Sequence, residues 1–152
     1  MDNEVFRRMY RDINERYCPY EKSIPTGNCQ CSRAHRFLIA EREGVNCGSD
    51  AAQERCLELL ELLRQQARFA LKSNDERAAL PHAKAMRVQV GGLRGLHAAL
   101  LPDEPVPTKI EDIFELIDDA IGRFGELGNL PFQPVIQQIA AYKGRRRFRR
   151  PR

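Results

Sequence analysis

The sequence contains no tryptophan, and aromatic residues make up only 7% of it. Its core must therefore be built mainly from Leu, Ile, Val and Ala, a composition that suits helices. No apolar stretch approaches the ~20 residues a bilayer span requires, so no membrane partner is expected. Behind Arg7 and Arg8 there is no apolar run of the kind a secretory signal carries. No cysteine occurs after Cys56, and the last ten residues contain no acid. No run alternates strongly enough to predict a strand, and no internal repeat is visible. The three histidines are scattered and no Ser-His-Asp arrangement assembles, so the chain is not expected to be an enzyme by itself.

What is present fits one folded unit. The 152 residues are 42% apolar and 30% charged, enough for a single core and too apolar for wholesale disorder. The net charge of +4 conceals an asymmetry. Lys143, Arg145, Arg146, Arg147, Arg149, Arg150 and Arg152 are all positive, and without them residues 1–142 are mildly acidic. A helical domain over 1–142 and a disordered arginine-rich tail over 143–152 are expected. Such a tail, Arg145 to Arg152 above all, suits nucleic-acid phosphates or an acidic protein partner, or serves only solubility.

Periodicity predicts an all-α bundle of five to six helices with a cysteine-rich N-terminal loop region. Val5, Phe6, Met9, Tyr10, Ile13 and Tyr17 predict a helix over 2–17, ended by Cys18-Pro19. Ser32 as cap, Phe37, Leu38 and Ala40 as apolar side, and Gly44 as stop predict a second over 33–43. Ser49 caps a third, to about Lys72, with Cys56, Leu59, Leu60, Leu63, Ala67 and Ala70 as its stripe. A fourth region runs from Pro81 to about Leu101. Gly91-Gly92-Leu93-Arg94-Gly95 inside it lacks the spacing of a phosphate loop, so close packing of another backbone is the expected reason for its glycines. Thr108 to Glu111 reads as a capping box opening a helix to about Leu127, closed by Gly128. A last helix is expected from Pro131 to Tyr142.

The cysteines carry the chemical signal. Cys18, Cys29, Cys31, Cys47 and Cys56 all lie in the first 56 residues. Only Cys56 falls on an apolar stripe, and it is expected to be core packing. Cys18, Cys29, Cys31 and Cys47 fall at helix ends and in loops, as ligands of one metal site would. Cys31 and Cys47 each precede an expected helix cap, where the N-terminal partial charge favours a thiolate. Arg16, Lys22, Arg33 and Arg36 outnumber the one nearby acid, Glu21. His35, four residues from Cys31, reads as a surface histidine rather than a ligand.

Thiolates select zinc, copper(I) or iron–sulfur clusters. Structural zinc sites usually pair cysteines with roughly two to four residues between them. Here the gaps are ten, one, fifteen and eight residues. That irregularity favours an iron–sulfur cluster, whose irons spread its ligands apart. The sequence thus reads as a small iron–sulfur protein for electron transfer or redox sensing, with a redox protein as partner. The alternatives are a zinc-stabilised interaction module and a nucleic-acid-binding adaptor. Unpaired cysteines without an export signal point to a reducing, cytoplasmic location.

Overall fold

Ser49 accepts a hydrogen bond from the Ala52 amide (3.2 Å) and opens the longest helix, α1, Asp50–Gln66. Its stripe Ala52, Cys56, Leu59 and Leu63 is buried, as its spacing predicts. Ala67 interrupts the helix, and a single turn, α2, Arg68–Leu71, follows. The structure is a computed structural model that describes residue 5 and residues 8–10, 14–72 and 79–144. The arginines from position 145 onward, and with them the expectation of a disordered tail, lie outside the described residues.

Past Pro81 the chain is helical from α3, His82–Met86, through a π turn, Arg87–Gly91, into α4, Gly92–Leu100. Helix α5, Ile113–Phe124, and helix α6, Phe132–Ala141, complete the helical part. Leu59 and Leu63 of α1, Leu93 and Leu96 of α4, Ile113 and Ile117 of α5, and Val135 and Ile139 of α6 are essentially inaccessible and form one core. No helix is long and apolar enough to cross a membrane among the described residues.

The expected all-α bundle is overturned by residues 34–47. They form an antiparallel hairpin, β1, Ala34–Ile39, and β2, Arg42–Cys47, in register from Ala34 opposite Cys47 to Ile39 opposite Arg42. The fold is therefore mixed, mostly helical with one two-stranded sheet. The turn explains the error. Ala40 and Glu41 have φ of 48° and 70°, so both central residues are left-handed, as a two-residue hairpin turn demands. Asn-Gly or Asp-Gly usually announces such a turn; Ala-Glu announces a helix. Gly44 is no helix stop. It faces the stacked rings of Tyr10 and Phe37, and a Cβ there would come within 2.5 Å of Phe37.

Other boundaries moved as well. The first helix is over by Asn14, and Tyr17 bridges to Asn46 instead. Thr108 does not cap α5. Its N-cap is Asp112, because residues 108–111 are not helical and Ile110 pairs with Cys29. Gly125, at φ 92°, ends α5 before Gly128 is reached.

The glycines of α4 behave as their placement predicts. A Cβ on Gly95 would lie 2.5 Å from Val135 Cα, and one on Gly91 would lie 2.7 Å from Ile139 Cα. Helices α4 and α6 thus pack backbone to backbone. Gly95→Ala is expected to destabilise the fold by about 1–3 kcal/mol, the usual cost of forcing extra volume into a packed core; urea unfolding at neutral pH measures it. In the hairpin, replacing Ala40-Glu41 by Asn-Gly should raise stability by about 1 kcal/mol, because two left-handed L-residues are relieved. An unchanged urea midpoint would show that the turn is not strained.

Candidate metal centre

Four chain segments converge around the cysteines, each held by backbone hydrogen bonds. Residues 16–18 lie beside the end of β2: the Cys18 amide donates to Val45 O (2.9 Å) and the Cys47 amide to Arg16 O (2.7 Å). Cys18 and Cys47 are thereby brought to adjacent strands of chain. The Gly48 amide donates to Arg33 O (2.7 Å), which draws Cys31, at the foot of β1, to the same end of the hairpin. Helix α1 then closes over them. Gln53 Nε2 donates to Tyr17 O (2.8 Å), and Cys56 follows on the buried stripe.

The fourth segment comes from far along the chain. The Gln30 amide donates to Ile110 O (2.9 Å), the Ile110 amide to Asn28 O (3.0 Å) and the Ile113 amide to Gln30 O (2.9 Å). Asp112 Oδ1 accepts from both the Ser32 amide (3.0 Å) and the Phe114 amide (3.1 Å). These bonds carry its carboxyl below the ordinary range, against the burial that alone would raise it. Cys31 Sγ in turn receives the Arg33 amide at 3.5 Å, and the Phe114 amide lies close enough to lower it. The helix N-terminus at Cys31 is thus that of α5, eighty residues away, and not the expected helix over 33–43. Ser49 does cap α1 two residues after Cys47, whose thiol donates to Ser49 O (3.2 Å).

Burial governs the sulfurs. Cys18, Cys29, Cys47 and Cys56 are buried and Cys31 is half-buried. Burial pushes the Cys29 and Cys56 thiols up to about 12, and raises Cys31 and, further still, Cys18. The N–H groups beside Cys31 oppose this without overcoming it, so Cys31 is not the low-pKa thiolate expected of it. Their mutual effects give the arrangement. Cys18 is raised further by Cys56, Cys31 and Cys47, Cys31 by Cys47, and Cys56 by Cys31 and Cys47. Every pair among these four is within electrostatic reach. Cys29 is raised by Cys31 alone among the cysteines.

The neighbours differ from expectation. Arg16 is paired with Asp50 (2.5 Å) and Arg36 with Glu43, so neither charge is turned to the sulfurs. Lys22 is exposed, and Glu21 accepts the Tyr10 hydroxyl (2.6 Å). Arg33 and Arg55 instead clasp the Phe114 ring, with guanidinium carbons 4.4 and 4.6 Å from its centroid. His35 is exposed on β1 and shares no helix with Cys31. Tyr20 is fully buried, its hydroxyl has no hydrogen-bond partner among the described residues, and burial followed by Cys56, Cys29, Cys18 and Cys31 raises it. Asp112, Phe114, Arg55 and Tyr20 gave no sequence signal, because only long-range pairing brings them here. Among the described residues no three His, Cys, Asp or Glu are grouped as a metal ion's ligands.

Comparison with protein-family models, curated proteins and solved structures finds no match.

Asp112 both caps α5 and ties the Cys31 segment to it. Asp112→Ala is expected to cost about 1–2 kcal/mol at pH 7, the range of a lost N-cap. Since the folded carboxyl lies below its unfolded value, its contribution is present above the unfolded value near 4 and fades as pH falls through the folded one. Urea curves at pH 7 and at about pH 3 should therefore show the gap between wild type and variant shrinking with acid.

Proposed function

We propose that the protein holds an iron–sulfur cluster through Cys18, Cys31, Cys47 and Cys56 and serves electron transfer or redox sensing. The observation that supports this reading is the backbone pairing that brings the segments of Cys18, Cys31 and Cys47 to one end of the hairpin, with the Cys56 helix bonded to Tyr17 beside them. The apolar stripe favours Cys29 over Cys56 as the fourth ligand; the pairing of the Cys29 segment with Ile110, away from the Cys18–Cys47 pairing, favours Cys56. Three further features support it. Amide N–H groups of Arg33 and Phe114 lie beside Cys31 Sγ, and such donors stabilise cluster sulfurs. Arg33 stands beside the site as a counter-charge to an anionic centre, and Arg55, paired with Asp118 at 3.2 Å, packs on the same Phe114 ring. The Tyr20 hydroxyl is a buried donor in need of an acceptor, which a metal-bound sulfur would supply.

A zinc-stabilised interaction module is the second reading. What favours it is the position of the cysteines between four segments, where a single metal acts as a staple that couples binding to folding.

Protein purified under anaerobic conditions decides between them by its iron, sulfide and zinc content and its visible absorption. Iron and acid-labile sulfide with a broad visible band are expected, and zinc alone would favour the second reading. Cys56→Ser should lose the metal while Cys29→Ser retains it. Protein that binds none of the three elements would overturn both readings.

A further inference from the structure

Away from the cysteines, a groove of about 1080 Å³ runs between the 25–28 turn, the α3–α4 helix and the end of α6. Its charged lining is Arg87, Arg94 and Lys143, with His82 beside them and no carboxylate. A second cavity, of about 610 Å³, is lined by Glu111, Asp112, Glu115 and Asp119 together with Lys109 and Arg123, so its charges are mixed where those of the groove are all positive.

The guanidiniums in the groove are fixed by backbone acceptors. Arg87 donates through Nε to Ile139 O and through Nη2 to Ala140 O, both at 3.2 Å, which anchors it to the last turn of α6. Arg94 donates through Nη2 to Thr108 O (2.9 Å), and its guanidinium carbon stands 5.1 Å from the Tyr142 ring centroid. Each guanidinium has five N–H donors, so these bonds orient the groups and leave donors over. The Arg94 Nε is buried and has no partner among the described residues. Arg87 also opens the π turn, a local widening that recurs at functional sites. The groove ends at Gly144, and the sequence continues with Arg145, Arg146, Arg147, Arg149, Arg150 and Arg152.

We propose that this groove binds the sugar–phosphate backbone of a single-stranded nucleic acid, with Arg94 and Lys143 on its phosphates. Oriented guanidiniums suit phosphate oxygens, because their fork matches two acceptors at once. A polymer fits better than a lone anion, since Arg87, Arg94 and Lys143 line one open groove as charges repeat along a strand. One strand fits better than a duplex: a cationic groove with an aromatic residue set among its positive charges is how single strands are held. The proposal is independent of the metal centre, and it rests on the groove residues and not on the tail.

The test is fluorescence anisotropy of a labelled, mixed-sequence RNA of ~12 nucleotides, a length such grooves accommodate, titrated with the full chain from about 50 to about 200 mM salt. Salt-dependent binding is expected. Arg94→Gln and Lys143→Gln should each weaken it several-fold and reduce the slope of log K against log salt by about 1. Lys143 is exposed, so its variant tests the groove even if Arg94→Gln disturbs the fold. Wild-type affinity and slope in the Lys143 variant, or absence of binding by the full chain, would overturn the proposal. Displacement of the RNA by inorganic phosphate at equal phosphate concentration would also overturn it, assigning the groove to an isolated anion.

Discussion

Asp112 accepts two backbone N–H groups at once, from Phe114 at the start of α5 and from Ser32 near the start of the hairpin. With the pairing of residues 28–30 to 110–113, it joins two parts of the chain that also share one apolar core. On one side lie the hairpin and the cysteine segments, rich in turns and poor in large apolar groups. On the other lies the helical core of α1, α4, α5 and α6, built from Leu, Ile and Val. A short extended clip between them turns a helical domain with a loose N-terminal region into one packed body. The same clip holds the start of α5 beside Cys31, so the surroundings of that sulfur depend on a residue the cysteines' own segment does not contain.

The parts of this structure legible in the sequence are those decided locally. Ser49 caps α1 because its hydroxyl needs only the amide three residues on, and the Cys56, Leu59 and Leu63 stripe needs only a helical repeat. The α4 glycines announced a close neighbour because no other role explained them. What escaped was decided at a distance. Residues 33–43 carry helix-compatible side chains, and Ala40-Glu41 hides a turn that glycine or asparagine would have revealed. The Thr108 to Glu111 box is a sound local signal, but Ile110 gains more by pairing with Cys29, and Asp112 wins the cap. The confinement of cysteines to one third of the chain pointed to a common site. That Tyr20, Arg55 and Phe114 lie beside those cysteines followed from the fold alone.

At the sulfurs, two opposing influences meet. Burial holds the thiols protonated, while the amides of Arg33 and Phe114 and the charge of Arg55 favour the ionised form. In the free protein burial prevails. A metal centre would reverse that balance by replacing the protons, and the donors already in place would then stabilise the charge they now face in vain. Such a centre would discriminate by softness: a thiophilic cation displaces protons from reluctant thiols, and a harder ion does not.

The π turn at Arg87–Gly91 separates two faces with different tasks. Gly91 and Gly95 press against α6, while Arg87, one turn earlier, reaches the carbonyls at α6's end. A π turn holds one residue more than an α turn, and each residue advances a helix by roughly 100°. The extra residue therefore acts as a phase shift written into the helix, much like an insertion retained for its rotation. Loss of one residue there would leave the helix nearly as long and far more regular, yet it would swing the cationic edge away from the groove or the glycines away from their seam.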